Sequence, residues 1–188
     1  MAENGGLASA ELHAEGLLLR PWTDADYEPA LRGMSDPDFQ RWNLAGGPEP
    51  TEEGARQFLK TRALGWERGD TFSFAVVDRA TGAVLGNVGI GKISHVHRSG
   101  IISYWLLPEA RGRGAATLGL GAVTQWGFTT LALHRLELGH HVDNAPSCAV
   151  AQRCAYAAEG VLRGYLMGRD GFATDVHLHA RLSSDRVG

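Results

Sequence analysis

Residues 110–128, ARGRGAATLGLGAVTQWGF, constrain the fold more than any other stretch of the chain. From Gly114 onward they read as one helix running to about residue 131. Ala115, Leu118, Ala122 and Trp126 follow helical steps, and so do Ala116, Leu120, Val123, Gly127 and Leu131. Polar side chains are confined to a narrow stripe at Thr117, Thr124 and Gln125. A helix that is apolar on nearly every side has to be covered on nearly every side, so it packs on a sheet. Its opening runs against helix propensity. Glycine costs about 1 kcal/mol against alanine in a helix interior, yet Gly112 and Gly114 stand at the mouth and Gly119 and Gly121 lie inside. Such a weave is expected where something approaches the backbone closely.

Before this helix the hydrophobic period is two. Residues 71–78 (TFSFAVVD) alternate, Val84–Ser94 follows a Thr81-Gly82 turn, and residues 101–107 (IISYWLL) follow Arg98-Ser99-Gly100. These connections are too short for crossovers, so the three strands form an antiparallel meander. Further strands are expected over 16–22, 135–142, 161–167 and 174–182. Helices are expected over 23–34 behind the N-cap Thr23, from Thr51 onward, and over 144–157, with 35–50 a proline- and glycine-rich loop. The step from 101–107 through the glycine-rich helix to 135–142 fits a parallel crossover. The expected fold is α/β, with a mixed, mostly antiparallel central sheet of about seven strands and about four flanking helices. Residues 1–12 read as a mobile tail and 13–184 as one domain.

Composition removes several classes of function. The chain has 188 residues, 44% of them hydrophobic, and a formal net charge of −3, which gives no basic field for nucleic acid. No apolar run approaches the ~20 residues of a membrane-spanning helix, and the first ten residues lack the pattern of a signal peptide. Cys148 and Cys154 lie six apart in one expected helix, on different sides of it, so they do not pair in a disulfide. That fits a reducing cytoplasm, the expected location.

A strand that runs through a glycine loop into a helix makes an anion site, because the first N–H groups of the helix have no internal partner and carry partial positive charge. Arg111 and Arg113 add donors to it. An ordinary tight turn explains the same spacing. The loop is not a G-x-x-x-x-G-K-[ST] phosphate loop. Gly86-Asn87-Val88-Gly89-Ile90-Gly91 lies inside a strand pattern, where glycines mark a bulge or a close approach rather than a dinucleotide fingerprint.

Arg111-Gly112-Arg113-Gly114-Ala115-Ala116, directly after Tyr104-Trp105-Leu106-Leu107-Pro108, resembles the R/Q-x-x-G-x-G/A signature of the GNAT superfamily of acyl-CoA-dependent N-acetyltransferases. The wider pattern over about 16–182 is similar to the ribosomal-protein-alanine N-acetyltransferase subfamily. It includes Pro50-Thr51-Glu52-Glu53, Phe74-Ala75-Val76, Leu85-Gly86, Asn144 with Ser147, Glu159-Gly160 with Arg163, and Asp175. The resemblance implies an acetyl-CoA cosubstrate in a cleft between a splayed strand pair, 101–107 and 135–142. Backbone groups near Leu106 and Leu107 would pair with the pantetheine arm, and the N–H groups of Gly112, Arg113, Gly114, Ala115 and Ala116 would hold the pyrophosphate. Asn144 would contact the cofactor arm, although Asn144-Ala145-Pro146 is also a sound helix start. Ser147 is the candidate acid for the leaving thiolate. Arg41, Trp42 and Asn43, within 39–50, are candidates for the acceptor wall. The implied acceptor is a protein or peptide α-amine, with a small-molecule amine such as an aminoglycoside or polyamine as alternative. A possible homodimer belongs to the same resemblance.

The pattern also breaks. The carboxylate that many subfamily members carry just before Tyr-Trp-Leu is absent from Gly100-Ile101-Ile102-Ser103. Glu137, Asp175 or a histidine is then left to take the amine's proton. The gap leaves open a CoA-binding sensor without catalysis. Tyr156 either brings a hydroxyl near the thiol or packs in place of the usual phenylalanine. Neither cysteine has an activating base in the sequence pattern, which argues against an acyl-cysteine. His95/His97 and His177/His179 form H-x-H pairs and His140-His141 precedes Asp143, but no run has the spacing of a structural zinc site. No metal is expected.

Overall fold

The computed structural model describes residues 10–42, 47–168 and 171–185. One eight-stranded sheet organises them, in the order β1-β2-β3-β4-β5-β6-β8-β7. The strands are β1 (Leu12–Ala14), β2 (Leu17–Pro21), β3 (Phe72–Asp78), β4 (Val84–Ser94), β5 (Ser99–Leu106), β6 (Arg135–His141), β7 (Ala157–Met167) and β8 (Ala173–Leu182). The helices are α1 (Tyr27–Ser35), α2 (Pro37–Trp42), α3 (Glu52–Arg68), α4 (Ala115–Thr129) and α5 (Ala145–Arg153). Neighbouring strands are antiparallel except β5 and β6, which run parallel across the α4 connection.

Alternation along the strands sends side chains to two cores. Phe72, Phe74 and Val76 of β3 join Leu120, Val123 and Trp126 of α4 on one face, while Ala75 and Val77 meet α1 and α3 on the other. Trp66 of α3 joins the first core, edge-on to Phe72 and Phe74 at centroid distances of 4.9 and 5.1 Å. Leu120 and Val123 are fully buried, each worth roughly 1.5–3 kcal/mol relative to exposure.

The structure departs from the expected elements in three places. Leu12 lies in a short edge strand rather than a mobile tail, paired with Leu19. Within 35–50, α2 forms behind Asp36, whose carboxylate accepts the Phe39 N–H at 3.0 Å. The last helix stops at Arg153, and Ala155 takes a left-handed φ of 58°. Alanine-rich sequence there favours helix, but turning the chain brings Tyr156 into the core at 2% exposure. The Gly86-to-Gly91 stretch lies in β4, and the register shifts opposite it between Val76 and Val77. The glycines inside α4 are not where the helix is tightest. A Cβ on Gly119 would make ordinary contact with Val88 at 3.6 Å, and one on Gly121 would meet nothing, whereas one on Gly127 would lie 2.7 Å from Ile90.

Candidate active site

β5 and β6 are paired only at Ser99–Arg135, Gly100–Leu136 and Ile101–Glu137. Beyond this ladder β5 continues against β4 and β6 against β8, so the two strands part. Leu107 donates its N–H to Leu85 O at 2.8 Å. Strand alternation therefore turns the N–H and C=O of Leu106 toward the opening. The expected splay is present, flanked on one face by α4 and α5 and on the other by α2.

The mouth of α4 lies at the end of β5. Gly112 and Gly114 take φ of 71° and 81°, with open space where a Cβ would stand. Their role is the left-handed turn, not room for a neighbour. Gly112, Arg113 and Gly114 are exposed, Ala115 is buried and Ala116 half-buried. No side chain caps this helix and no acid lies in its first turn, so its leading N–H groups and the positive end of its dipole are open to an anion. Arg111 behaves differently from the expectation. Its guanidinium reaches Leu106 O at 3.0 Å, Asp36 at 2.5 Å and Asp38 at 2.7 Å. It ties α2 to the end of β5 rather than aiming its donors at the glycine turn.

On the α5 side, Asn144 accepts the Ser147 N–H at 3.1 Å and caps the helix. The Tyr104 hydroxyl is buried here, turned toward the Ser147 side chain but without a well-formed hydrogen bond among the described residues. Burial pushes its pKa up to about 12, with the Ser147 side chain pulling the other way. The sequence pattern does not single out Tyr104 from its neighbours in β5. Its place in the diverging half of β5, facing Ser147, is a tertiary fact. Tyr156, in contrast, bonds Thr124 at 2.7 Å inside the core, and burial raises its pKa. It packs, with its hydroxyl committed, and the catalytic expectation for it is not met.

Glu137 lies at the closed end of the splay and accepts from Arg135 at 2.7 Å. Arg135 also grips Glu159 with both terminal nitrogens. An ion-paired carboxylate at the still-paired end of the two strands is poorly placed to take a proton in the cleft. Asp175 accepts the Gly164 N–H at 2.7 Å and so fixes the bulge of β7. The opened end of β6 instead presents His141, whose ring meets Trp42 edge-on at 5.4 Å. Its Nδ1 lies 3.2 Å from the Thr174 hydroxyl and its Nε2 is buried without a partner among the described residues. Arg41 stacks over Trp42 at 4.5 Å, and Asn43 lies outside the described residues. Cys148 has His179 Nε2 at 4.0 Å, a neighbour that its sequence context did not reveal.

Comparisons with known proteins agree with this geometry. The uncharacterized N-acetyltransferase YoaA of Bacillus subtilis is 27% identical over 169 residues, 90% of this chain and 94% of its own. The spermidine N(1)-acetyltransferase of Vibrio cholerae is 30% identical over 87 residues, 46% of this chain and 50% of its own. RimJ of Mycobacterium smegmatis, solved in complex with CoA-disulfide, superposes with a TM-score of 0.82 at 25% identity, covering 93% of this chain and 86% of that one. The model of the acetyltransferase (GNAT) domain matches residues 16–156. A splayed parallel strand pair, an uncapped glycine turn at its end and a family match across both identify the chain as a member of the GNAT family, an N-acetyltransferase.

Proposed function

We propose that the protein transfers acetyl from acetyl-CoA to a primary amine by direct attack, with a protein or peptide N-terminal α-amine as the favoured acceptor. The observation that carries the donor assignment is the parting of β5 and β6 at the mouth of α4. The pantetheine arm lies beside β5 as a strand neighbour would, on the N–H of Leu106, whose C=O accepts from Arg111. The diphosphate lies on the N–H groups from Gly112 to Ala116. The thioester is then held between the two faces of the opening. Tyr104 and Ser147 stand on the α5 side, where the sulfur leaves as thiolate and takes a proton.

The acceptor enters from the α2 side, past Arg41 and Trp42. Its nitrogen attacks the thioester carbonyl, the C–S bond breaks, and the amine proton has to leave. With its Nδ1 donating to Thr174, His141 offers Nε2 to that amine from the end of β6, taking over the role of the carboxylate absent from β5. The protein-amine preference rests on the subfamily resemblance and on the likeness to RimJ. The partial similarity to a spermidine acetyltransferase supports the polyamine alternative. Val161, Tyr165 and Met167 are exposed on edge strand β7, a surface suited to pairing with a second copy.

Calorimetric titration with acetyl-CoA and CoA tests the donor site, with a Gly112→Asp, Gly114→Asp double variant as control. Aspartate is among the side chains best tolerated at positive φ, so the variant keeps its fold while placing carboxylates where the diphosphate would lie. Saturable binding to the wild type, lost in the folded variant, is the expected result. Absence of binding to the wild type overturns the assignment. CoA release with α-amine peptides and with spermidine then ranks the acceptors.

A further inference from the structure

His140 of β6, His177 and His179 of β8 and Cys148 of α5 converge beneath α5, with one ligand atom from each lying within 4.8 Å of all the others. His140 and His179 are almost fully buried. Their Nδ1 atoms face backbone carbonyls, His140 that of His141 at 2.8 Å and His179 that of Tyr156 at 3.2 Å. A carbonyl only accepts, so each Nδ1 carries a proton, and in the neutral form of each ring Nε2 is left with a bare lone pair. Those two Nε2 atoms face each other at 3.2 Å. Two acceptors held at that distance repel unless something positive lies between them. Two backbone carbonyls orienting two imidazoles toward one point is the support that metal-binding histidines characteristically have.

We propose that these four residues bind one divalent transition-metal ion of the zinc class. Tetrahedral zinc with Zn–N near 2.0–2.1 Å separates its nitrogens by roughly 3.3 Å, close to the His140–His179 spacing. Cys148 Sγ lies 4.0 Å from His179 Nε2, about half an ångström from the ~3.5 Å of a shared zinc. A set of three imidazoles and one thiolate suits zinc rather than magnesium or calcium, and four protein ligands make a closed, structural centre. The ion would join α5 to β6 and β8 on the side where β6 has lost β5 as a neighbour. It would thus brace the cleft wall that carries Ser147. Sequence spacing does not reveal the site, because its ligands come from three separated segments.

The test uses the full-length protein, stripped with chelator and titrated with Zn(II) alone against a chromophoric chelator, then with Co(II). The expected result is one tight equivalent of zinc and, with cobalt, a thiolate-to-metal charge-transfer band with the strong visible bands of tetrahedral coordination. Cys148→Ser should abolish the charge-transfer band, and His177→Gln should weaken binding by at least about tenfold. Both residues are only half-buried, so these variants disturb packing little, and circular dichroism checks their fold. A wild-type protein that binds no stoichiometric metal, or whose cobalt form lacks the thiolate band, overturns the site. So do variants that bind as tightly as the wild type, since the metal would then lie on other histidines.

Discussion

At the scale of single residues, glycine is required at some positions and merely present at others. A Cβ on Gly33 would fall 2.2 Å from the Trp105 ring, and that ring is wedged among Trp22, Phe39 and Phe58. Gly33→Ala therefore gains helix propensity but forces an overpacked core, and a net loss of about 1–3 kcal/mol is expected in urea denaturation. A Cβ on Gly121 would meet nothing within 4 Å among the described residues outside its own helix. Gly121→Ala is expected to stabilise by up to about 1 kcal/mol in the same measurement. The sequence offered both as glycines in helices, and only the neighbours separate them. The chemistry-bearing residues divide in the same way. Gly112 and Gly114 were legible because a positive φ before a helix leaves a local signature. Tyr104 and His141 were not, because their unpartnered atoms are defined by groups far away in the chain.

At the scale of elements, α5 shows how one residue can serve two purposes. Asn144 caps the helix through Ser147 and stands beside the opened strands. Asn144→Ala should cost about 1 kcal/mol of stability. Asn144→Ser keeps a capping oxygen and should restore that stability. If the amide also contacts the cofactor arm, the KM for acetyl-CoA rises in both variants. If the KM recovers with serine, Asn144 is a cap alone. Most elements were legible from period and punctuation, and the antiparallel meander and the parallel step across α4 followed from connection length. The end of α5 was not. Ala155 and Tyr156 favour helix locally, and the burial of Tyr156 against Thr124 overrides that preference. The α2 helix was hidden for a similar reason: Asp36 and Arg111, 75 residues apart, together hold it in place.

At the scale of the molecule, stability at acid pH depends on the joint between β2 and the helical layer. Arg20 grips Asp26 with two hydrogen bonds of 2.7 Å, and the Thr23 N–H adds a third at 2.8 Å. Burial pushes the Asp26 pKa up, but Arg20 and Thr23 outweigh it and hold the carboxyl below its ordinary value. A carboxyl depressed in the folded state contributes fully above its unfolded pKa, about 3.9, and that contribution disappears as pH falls through the folded value. Asp26→Asn should therefore cost about 3 kcal/mol at neutral pH, with the gap from wild type closing below about pH 4. Urea titrations at both pH values measure it. Taken whole, the sequence by itself determined the strand and helix periods, the antiparallel meander, the parallel crossover and the glycine mouth of α4, because each is written in neighbours a few residues apart. Tertiary structure alone decided where β5 and β6 part, that Arg111 braces α2, that Glu137 is locked in an ion pair, and that three histidines and a cysteine meet beneath α5. Those facts depend on side chains from segments the chain separates by tens of residues, and only packing brings them within a few ångströms.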